Sequence, residues 1–209
     1  MNKRRQRIAI LVSGSGTNME ALASSIRTME GAEVVGVICN LPGMQAEERA
    51  RRLQLPFTVI PHREYESREH FERALAAQLE GWGVDWICLA GFMRVLTASF
   101  IEKYPNRIIN IHPSLLPSFP GLHAIEQALE YGVKVTGCTI HFVTPEMDAG
   151  PIIAQATVPV LSSDDSATLG KRIQKKEHEL YPAAMEMLLF GQWDVSGRVV
   201  RSVSHGGGG

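Results

Sequence analysis

The sequence predicts an α/β fold built on a largely parallel sheet, and three observations carry that expectation. The first half of the chain alternates short apolar, β-rich runs with amphipathic helical segments, the pattern of strands joined by crossover helices. A glycine-rich turn follows the first apolar run directly, where such folds pass from strand to helix. Two late β-type runs are separated only by a loop, so antiparallel pairing is expected toward the C-terminal part.

Each element has a local reason. Residues 7–13 (RIAILVS) are an apolar run bounded by Gly14 and read as a buried strand. Residues 18–27 carry Met19, Leu22, Ala23 and Ile26 at helical spacing. Residues 33–39 (EVVGVIC) are β-rich and end in the turn signal Asn40-Leu41-Pro42-Gly43. A helix is expected over 45–53, a short strand over 57–60 closed by Pro61, and an amphipathic helix over 67–82. In that helix Phe71, Leu75 and Leu79 share a face, with Ser67 and Glu69 at the start. Residues 86–90 form another buried strand, 98–104 a helical turn or two, and 107–112 the next strand. A helix over 124–131 ends at Gly132. Strands follow over 137–144 and 151–160, then a long helix over 166–189 in which Pro182 should cause a break or kink.

No internal repeat or linker divides the chain, so 1–209 reads as one domain, with 200–209 a flexible tail ending in four glycines. Its 209 residues suffice for a real core. Apolar residues make up 44%, charged residues 21%, and the formal net charge is -1, so nothing recommends nucleic acid or an anionic membrane as partner. The basic start MNKRRQR precedes an apolar stretch, 8–12, too short for a signal peptide or a membrane span. Cys39, Cys88 and Cys138 are odd in number and scattered in apolar runs, which suits buried reduced thiols rather than disulfides or a zinc site. A cytoplasmic protein is expected.

The turn Ser13-Gly14-Ser15-Gly16-Thr17-Asn18 lets the backbone approach an anion at a helix N-terminus. The dinucleotide fingerprint is incomplete: Met19 stands where a third glycine belongs, and the second strand ends in Asn40 rather than an acidic residue. The P-loop lysine is also missing. NAD and ATP are disfavoured, and the turn suits a single phosphate or no ligand at all.

Asn110 and His112 lie two apart on one strand, so they share a face at its carboxyl end. A neutral amide donor beside an imidazole suits an oxyanion that develops during acyl transfer. A lone histidine at a strand end is more often structural, and His141 and His123 are weaker candidates still. His62, His70, His178 and His205 read as surface or helix residues. Asp148 stands in the loop TPEMDAGP; a carboxylate beside His112 would orient the ring and favour its charged form, although Asp in a turn commonly serves the turn itself. Ser114 has no G-x-S-x-G elbow around it, and His112, His141 and Asp148 have no recognisable metal-ligand spacing.

With these segments together, the sequence resembles the folate-dependent formyltransferases. The resemblance runs from residue 8 to about residue 190. It rests on SGSGTN at 13–18, LAGFMRVL at 89–96, NIHPSLLPSFPGLHA at 110–124, GCTIHFVTPEMDAGPII at 137–153 and QKKEHELYP at 174–182. It implies a Rossmann-like open, mostly parallel sheet with helices on both faces and an antiparallel addition near the C-terminal part. The reaction it implies moves a formyl group from 10-formyltetrahydrofolate, as co-substrate, to the amine of 5'-phosphoribosylglycinamide in purine synthesis, with no metal. Members acting on methionyl-tRNA or hydrolysing formyltetrahydrofolate fit less well. The chain leaves no room for an RNA-binding domain after the core, its first strand starts by residue 7, and the FPGLH stretch suits the purine branch. Carried over by motif, Asn110, His112 and Asp148 are the catalytic set. Gly16, Thr17, Asn18 and Glu177 would bind the phosphoribosyl substrate. Met93, Arg94, Val95 and Leu96, together with Asn110, would receive the folate, chiefly through backbone groups, and Arg68 would meet its glutamyl tail. Ala149 stands where a glycine is frequent in the family. The expected partners are these small molecules, and the protein would be a monomer or homodimer.

Overall fold

The computed structural model describes residues 4–202. Its central element is a nine-stranded sheet in the order β3-β2-β1-β4-β5-β6-β7-β9-β8. The strands are β1 (Gln6–Val12), β2 (Ala32–Cys39), β3 (Phe57–Val59), β4 (Trp86–Leu89), β5 (Ile108–His112), β6 (Val135–Phe142), β7 (Ile152–Pro159), β8 (Trp193–Ser196) and β9 (Val199–Ser202). The first five pair in parallel, β5–β6 and β6–β7 are antiparallel, and β9 joins β7 in parallel while pairing antiparallel with β8. The mixed sheet follows from connection length. Helical crossovers return the early strands in the same direction, whereas the loop after β6 is short enough only for reversal.

The helices are α1 (Thr17–Ile26), α2 (Gln45–Arg52), α3 (Arg68–Gly81), α4 (Ala98–Ile101), α5 (Ala124–Tyr131) and α6 (Ser166–Phe190). Alternate residues of β1 feed two cores. Ile8, Ile10 and Val12 pack with Met19, Leu22 and Ile26 of α1 and Tyr181, Met185 and Leu188 of α6. Ala9 and Leu11 pack with Phe71, Leu75 and Leu79 of α3 and Phe100 of α4. A strand covered on both faces needs no polar alternation, which is why RIAILVS reads as a continuous apolar run. Ser67 caps α3, its hydroxyl accepting the His70 N–H at 3.2 Å. Cys39, Cys88 and Cys138 are free and buried, and burial pushes the Cys88 thiol up to about 12. Among the described residues no helix is long and apolar enough to cross a membrane.

Two expectations are corrected. Of the break or kink anticipated at Pro182, the break does not occur; α6 is one helix of 25 residues. Its neighbour Tyr181 is fully buried and its hydroxyl lies 3.2 Å from the Leu89 carbonyl and 3.1 Å from that of Ile109, which fastens α6 to the sheet at the proline. Packing outweighs the one backbone hydrogen bond that proline removes. The flexible tail expected over 200–209 is corrected at its start, because residues 199–202 form β9, turned from β8 at Gly197, where φ is +58°. Trp193 anchors this hairpin, donating its indole N–H to the Leu188 carbonyl at 2.9 Å and lying against Trp86 and Phe142. The rest of the expected tail, 203–209, lies outside the described residues.

Candidate active site

The carboxyl ends of β1, β4 and β5 open into a cleft of about 690 Å³, the position at which ligands enter open α/β sheets. Its wall combines apolar side chains, such as Phe92, Leu96, Ile101 and Val143, with polar ones that include Asn18, Asn110, His112, His141, Asp148 and Glu177. That balance is typical of a site for an organic ligand with a few fixed polar contacts.

Asn110 and His112 both reach the cleft from β5, as strand alternation requires. His112 is 5% exposed, and its Nε2 donates to the Phe119 carbonyl at 2.8 Å. Its Nδ1 lies 3.4 Å from Asp148 Oδ2. Both ring nitrogens therefore face oxygen acceptors. The Phe119 carbonyl orients the ring, and Nδ1 stands beside the carboxylate. Asp148 takes a left-handed backbone conformation, φ 51°, which aspartate tolerates better than most residues. Gly150 lets its loop lie close to β6, since a Cβ there would fall 1.7 Å from the Phe142 carbonyl oxygen.

His141, a weaker candidate from sequence, belongs to the cluster. It stands opposite Asn110 in the β5–β6 register. Its Nδ1 donates to the Phe142 carbonyl at 2.9 Å, and its Nε2 lies 3.2 Å from Asn110 Nδ2 and 3.7 Å from Asp148 Oδ1. Burial lowers its pKa below the usual histidine value, opposed by the Phe142 carbonyl and by Asp148, while His112 adds to the lowering. Burial thus favours the neutral ring, and with Nδ1 donating to Phe142 that form carries its lone pair on Nε2.

A second polar group faces the same cleft. Asn18 Nδ2 donates to Glu177 Oε2 at 2.9 Å, and burial raises the Glu177 pKa while Asn18 opposes the rise. Gln174, one turn earlier on α6, donates to Thr17 Oγ1 at 3.0 Å. Sequence reasoning missed Gln174; its spacing from Glu177 on a helix was the available signal. Gly16 is the N-cap of α1 with φ +76°, and a Cβ on it would lie 2.8 Å from that of Ala46. Glycine is thus required there by conformation and by space. No side chain caps α1, so its first N–H groups are open to an anion. Gly16 and Thr17 adjoin the cleft in sequence but do not line it.

The segment after β4 is brought to the cleft whole, with Met93, Arg94, Val95 and Leu96 all on its wall. Met93 and Val95 are exposed, Leu96 is buried, and Arg94 Nε is buried without a partner among the described residues. Ser13 holds this segment: its hydroxyl accepts the Met93 N–H at 2.7 Å and donates to Asn40 Oδ1 at 2.6 Å. Arg68 is not part of the cleft wall; it is exposed at the first position of α3.

An amide and an imidazole gathered on one strand, next to a carboxylate in a mostly apolar cleft, make a site suited to moving a carbonyl-bearing group between two bound molecules. The chain belongs to the formyl transferase family, whose pattern matches residues 6–185. It is 48% identical over 194 residues to the trifunctional purine biosynthetic protein adenosine-3 of Drosophila melanogaster, a match that takes in 91% of this chain but 14% of that one. The chain therefore spans a small part of that relative's length. It is 39% identical over 185 residues to the phosphoribosylglycinamide formyltransferase of Bacillus subtilis, covering 88% of this chain and 95% of that protein. The crystal structure of glycinamide ribonucleotide transformylase 1 from Symbiobacterium toebii matches with a TM-score of 0.93 and 46% identity, over 96% of this chain and 95% of the other. The α/β architecture expected from sequence is borne out by that structural match.

Proposed function

We propose that this chain transfers a formyl group from 10-formyltetrahydrofolate to the amine of 5'-phosphoribosylglycinamide in purine biosynthesis. The observation that carries the reading is the convergence of Asn110, His112 and Asp148 in one cleft, with Asn18, Glu177 and the 93–96 segment on its wall.

In this reading the substrate amine attacks the formyl carbon, and the carbonyl electron pair moves onto the formyl oxygen. Asn110 Nδ2–H and His112 Nδ1–H donate to that oxygen. Each such donor is worth about 3–4 kcal/mol of barrier in related oxyanion sites. The carbon's bond to the folate nitrogen then breaks, and the carbonyl reforms. One proton must pass from the amine to the departing nitrogen; Asp148, 12% exposed and beside His112, is the carboxylate placed to carry it. The open N-terminus of α1 at Gly16, Thr17 and Asn18 takes the substrate phosphate, and Glu177 contacts the same substrate. Met93 to Leu96 receive the pterin, chiefly by backbone groups, with Arg94 Nε as an open donor. Arg68, on the surface outside the cleft, takes the charged glutamyl tail.

One assay tests the reading. The protein is incubated with 10-formyltetrahydrofolate, with and without phosphoribosylglycinamide. Consumption of the donor only when the amine is present is the expected result. Equal consumption without the amine would make the protein a hydrolase, and none in either case would leave a binding module; both overturn the proposal.

A further inference from the structure

We propose that His141 is a positioning residue that fixes the amide of Asn110 with its nitrogen, rather than its oxygen, toward the reacting formyl group. The proposal rests on the formyl-transfer reading above and adds a residue to it.

An asparagine is a useful oxyanion donor in only one of its two amide orientations. Flipped, Asn110 would present a carbonyl oxygen to a developing negative charge. Something must select the orientation, and the arrangement at His141 does so by a chain of single-valued hydrogen bonds. The Phe142 carbonyl can only accept, so His141 Nδ1, 2.9 Å away, carries a proton. In the neutral ring, Nε2 then bears a lone pair and can only accept. The Asn110 atom 3.2 Å from it must therefore be the amide nitrogen. One Asn110 N–H is committed to His141, and the other is left for the cleft. Asp148 Oδ1, 3.7 Å from the same Nε2, is too far to compete as a hydrogen-bond partner.

The placement comes from the sheet. Asn110 and His141 are direct cross-strand partners in an antiparallel pair. Their side chains meet on the same face without help from a loop. His141 is 2% exposed, so its lone pair is shielded from bulk water. Burial, which favours the neutral ring, thus serves the orientation of a neighbour rather than proton transfer by His141 itself.

Two measurements test this. The first is a cycle of kcat values for wild type, Asn110→Ala, His141→Leu and the double variant, with His141→Gln as the conservative replacement. His141→Leu is expected to lower kcat on the order of tenfold or more, with KM for each substrate changed less than about threefold, because the loss falls on the transition state. His141→Gln, which can present an acceptor oxygen at the same place, recovers most of the loss. In the Asn110→Ala background His141→Leu should cost almost nothing further, the non-additivity of two residues acting as one. An equal fall in both backgrounds overturns the proposal and leaves His141 a merely structural residue. A near-normal kcat in Asn110→Ala alone overturns instead the role of Asn110, which is a separate failure.

The second measurement needs no variant and no turnover. Nitrogen-15 NMR of the histidine rings at pH 7.5 should find His141 protonated at Nδ1 and bare at Nε2. A proton on Nε2, in either the other tautomer or the imidazolium, removes the acceptor and overturns the proposal.

Discussion

The backbone N–H of Gly121 donates to Asp148 Oδ2 at 2.7 Å, tying the loop after β5 to the loop between β6 and β7. The same oxygen lies 3.4 Å from His112 Nδ1. Asp148 is thus placed by one neighbour while it faces another, and its carboxylate needs no reorganisation when charge develops on the substrate. The arrangement also makes the two loops interdependent, since Phe119, which holds the far side of the His112 ring, lies in the same segment as Gly121.

Replacing this carboxylate by an amide separates its charge from its geometry. Asp148→Asn keeps an oxygen that can accept the Gly121 N–H but removes the negative charge beside His112. We expect kcat to fall by about 10²–10⁴-fold, the range for losing a proton-transfer group, while both KM values move little. Steady-state kinetics at pH 7.5 check this, and a kcat within a few-fold of wild type would sink the role given to Asp148.

In the proposed reading, Ser13 bears on the formyl donor. Its hydroxyl is the acceptor for the Met93 N–H, and Ser13→Ala leaves that partly buried donor without its partner at the start of the 93–96 segment. A lost partner of this kind costs about 1–3 kcal/mol, enough to let the segment shift. The expected result is a raised KM for the formyl donor, with KM for the phosphoribosyl substrate unchanged. A rise confined to the phosphoribosyl substrate would contradict the assignment of 93–96 to the folate.

Much of this architecture was legible because its signals are local. The continuous apolar runs, Ser67 at the head of α3 and Gly132 after α5 each report a backbone state that depends on a few neighbouring residues. The β8–β9 hairpin was missed because its strands are short and half exposed, and their anchor, Trp193 against Trp86 and Phe142, exists only once the sheet has formed. Pro182 leaves α6 unbroken for the same reason: proline disfavours a helix locally, and the tertiary hold on Tyr181 keeps the helix continuous. At the site, period-two alternation placed Asn110 and His112 together. Nothing in the spacing could bring in Asp148 or raise His141 above the other histidines, because their positions follow from strand register and loop closure between distant segments.

Gly150 offers a test on stability. A Cβ at this buried position would fall 1.7 Å from the backbone oxygen of Phe142, so the loop carrying Asp148 must move away from β6. Gly150→Ala should destabilise the fold by about 1–3 kcal/mol, as overpacking does, and should also lower kcat through Asp148. Urea unfolding monitored by tryptophan fluorescence measures the first effect, and an unchanged midpoint would show that the loop yields without cost.

Glu177 links the cleft to the pH dependence of stability. Burial raises its pKa in the folded protein above the usual glutamate value, while the Asn18 hydrogen bond opposes the rise without cancelling it. Between the unfolded value, about 4.3, and the raised folded value, the folded state binds more protons than the unfolded state, so stability falls as pH rises through that window. Above the folded value the contribution is flat. Glu177→Gln removes the titration and keeps a polar group that can accept from Asn18. The stability of wild type minus that of Glu177→Gln should therefore decline as pH rises from about 4.3 and then level off, because every other titrating group cancels in the difference. Urea titrations of both proteins between pH 4 and 8 supply the curve. A difference that stays constant, or that grows with pH, would mean that the buried carboxyl is no harder to ionise than an exposed one.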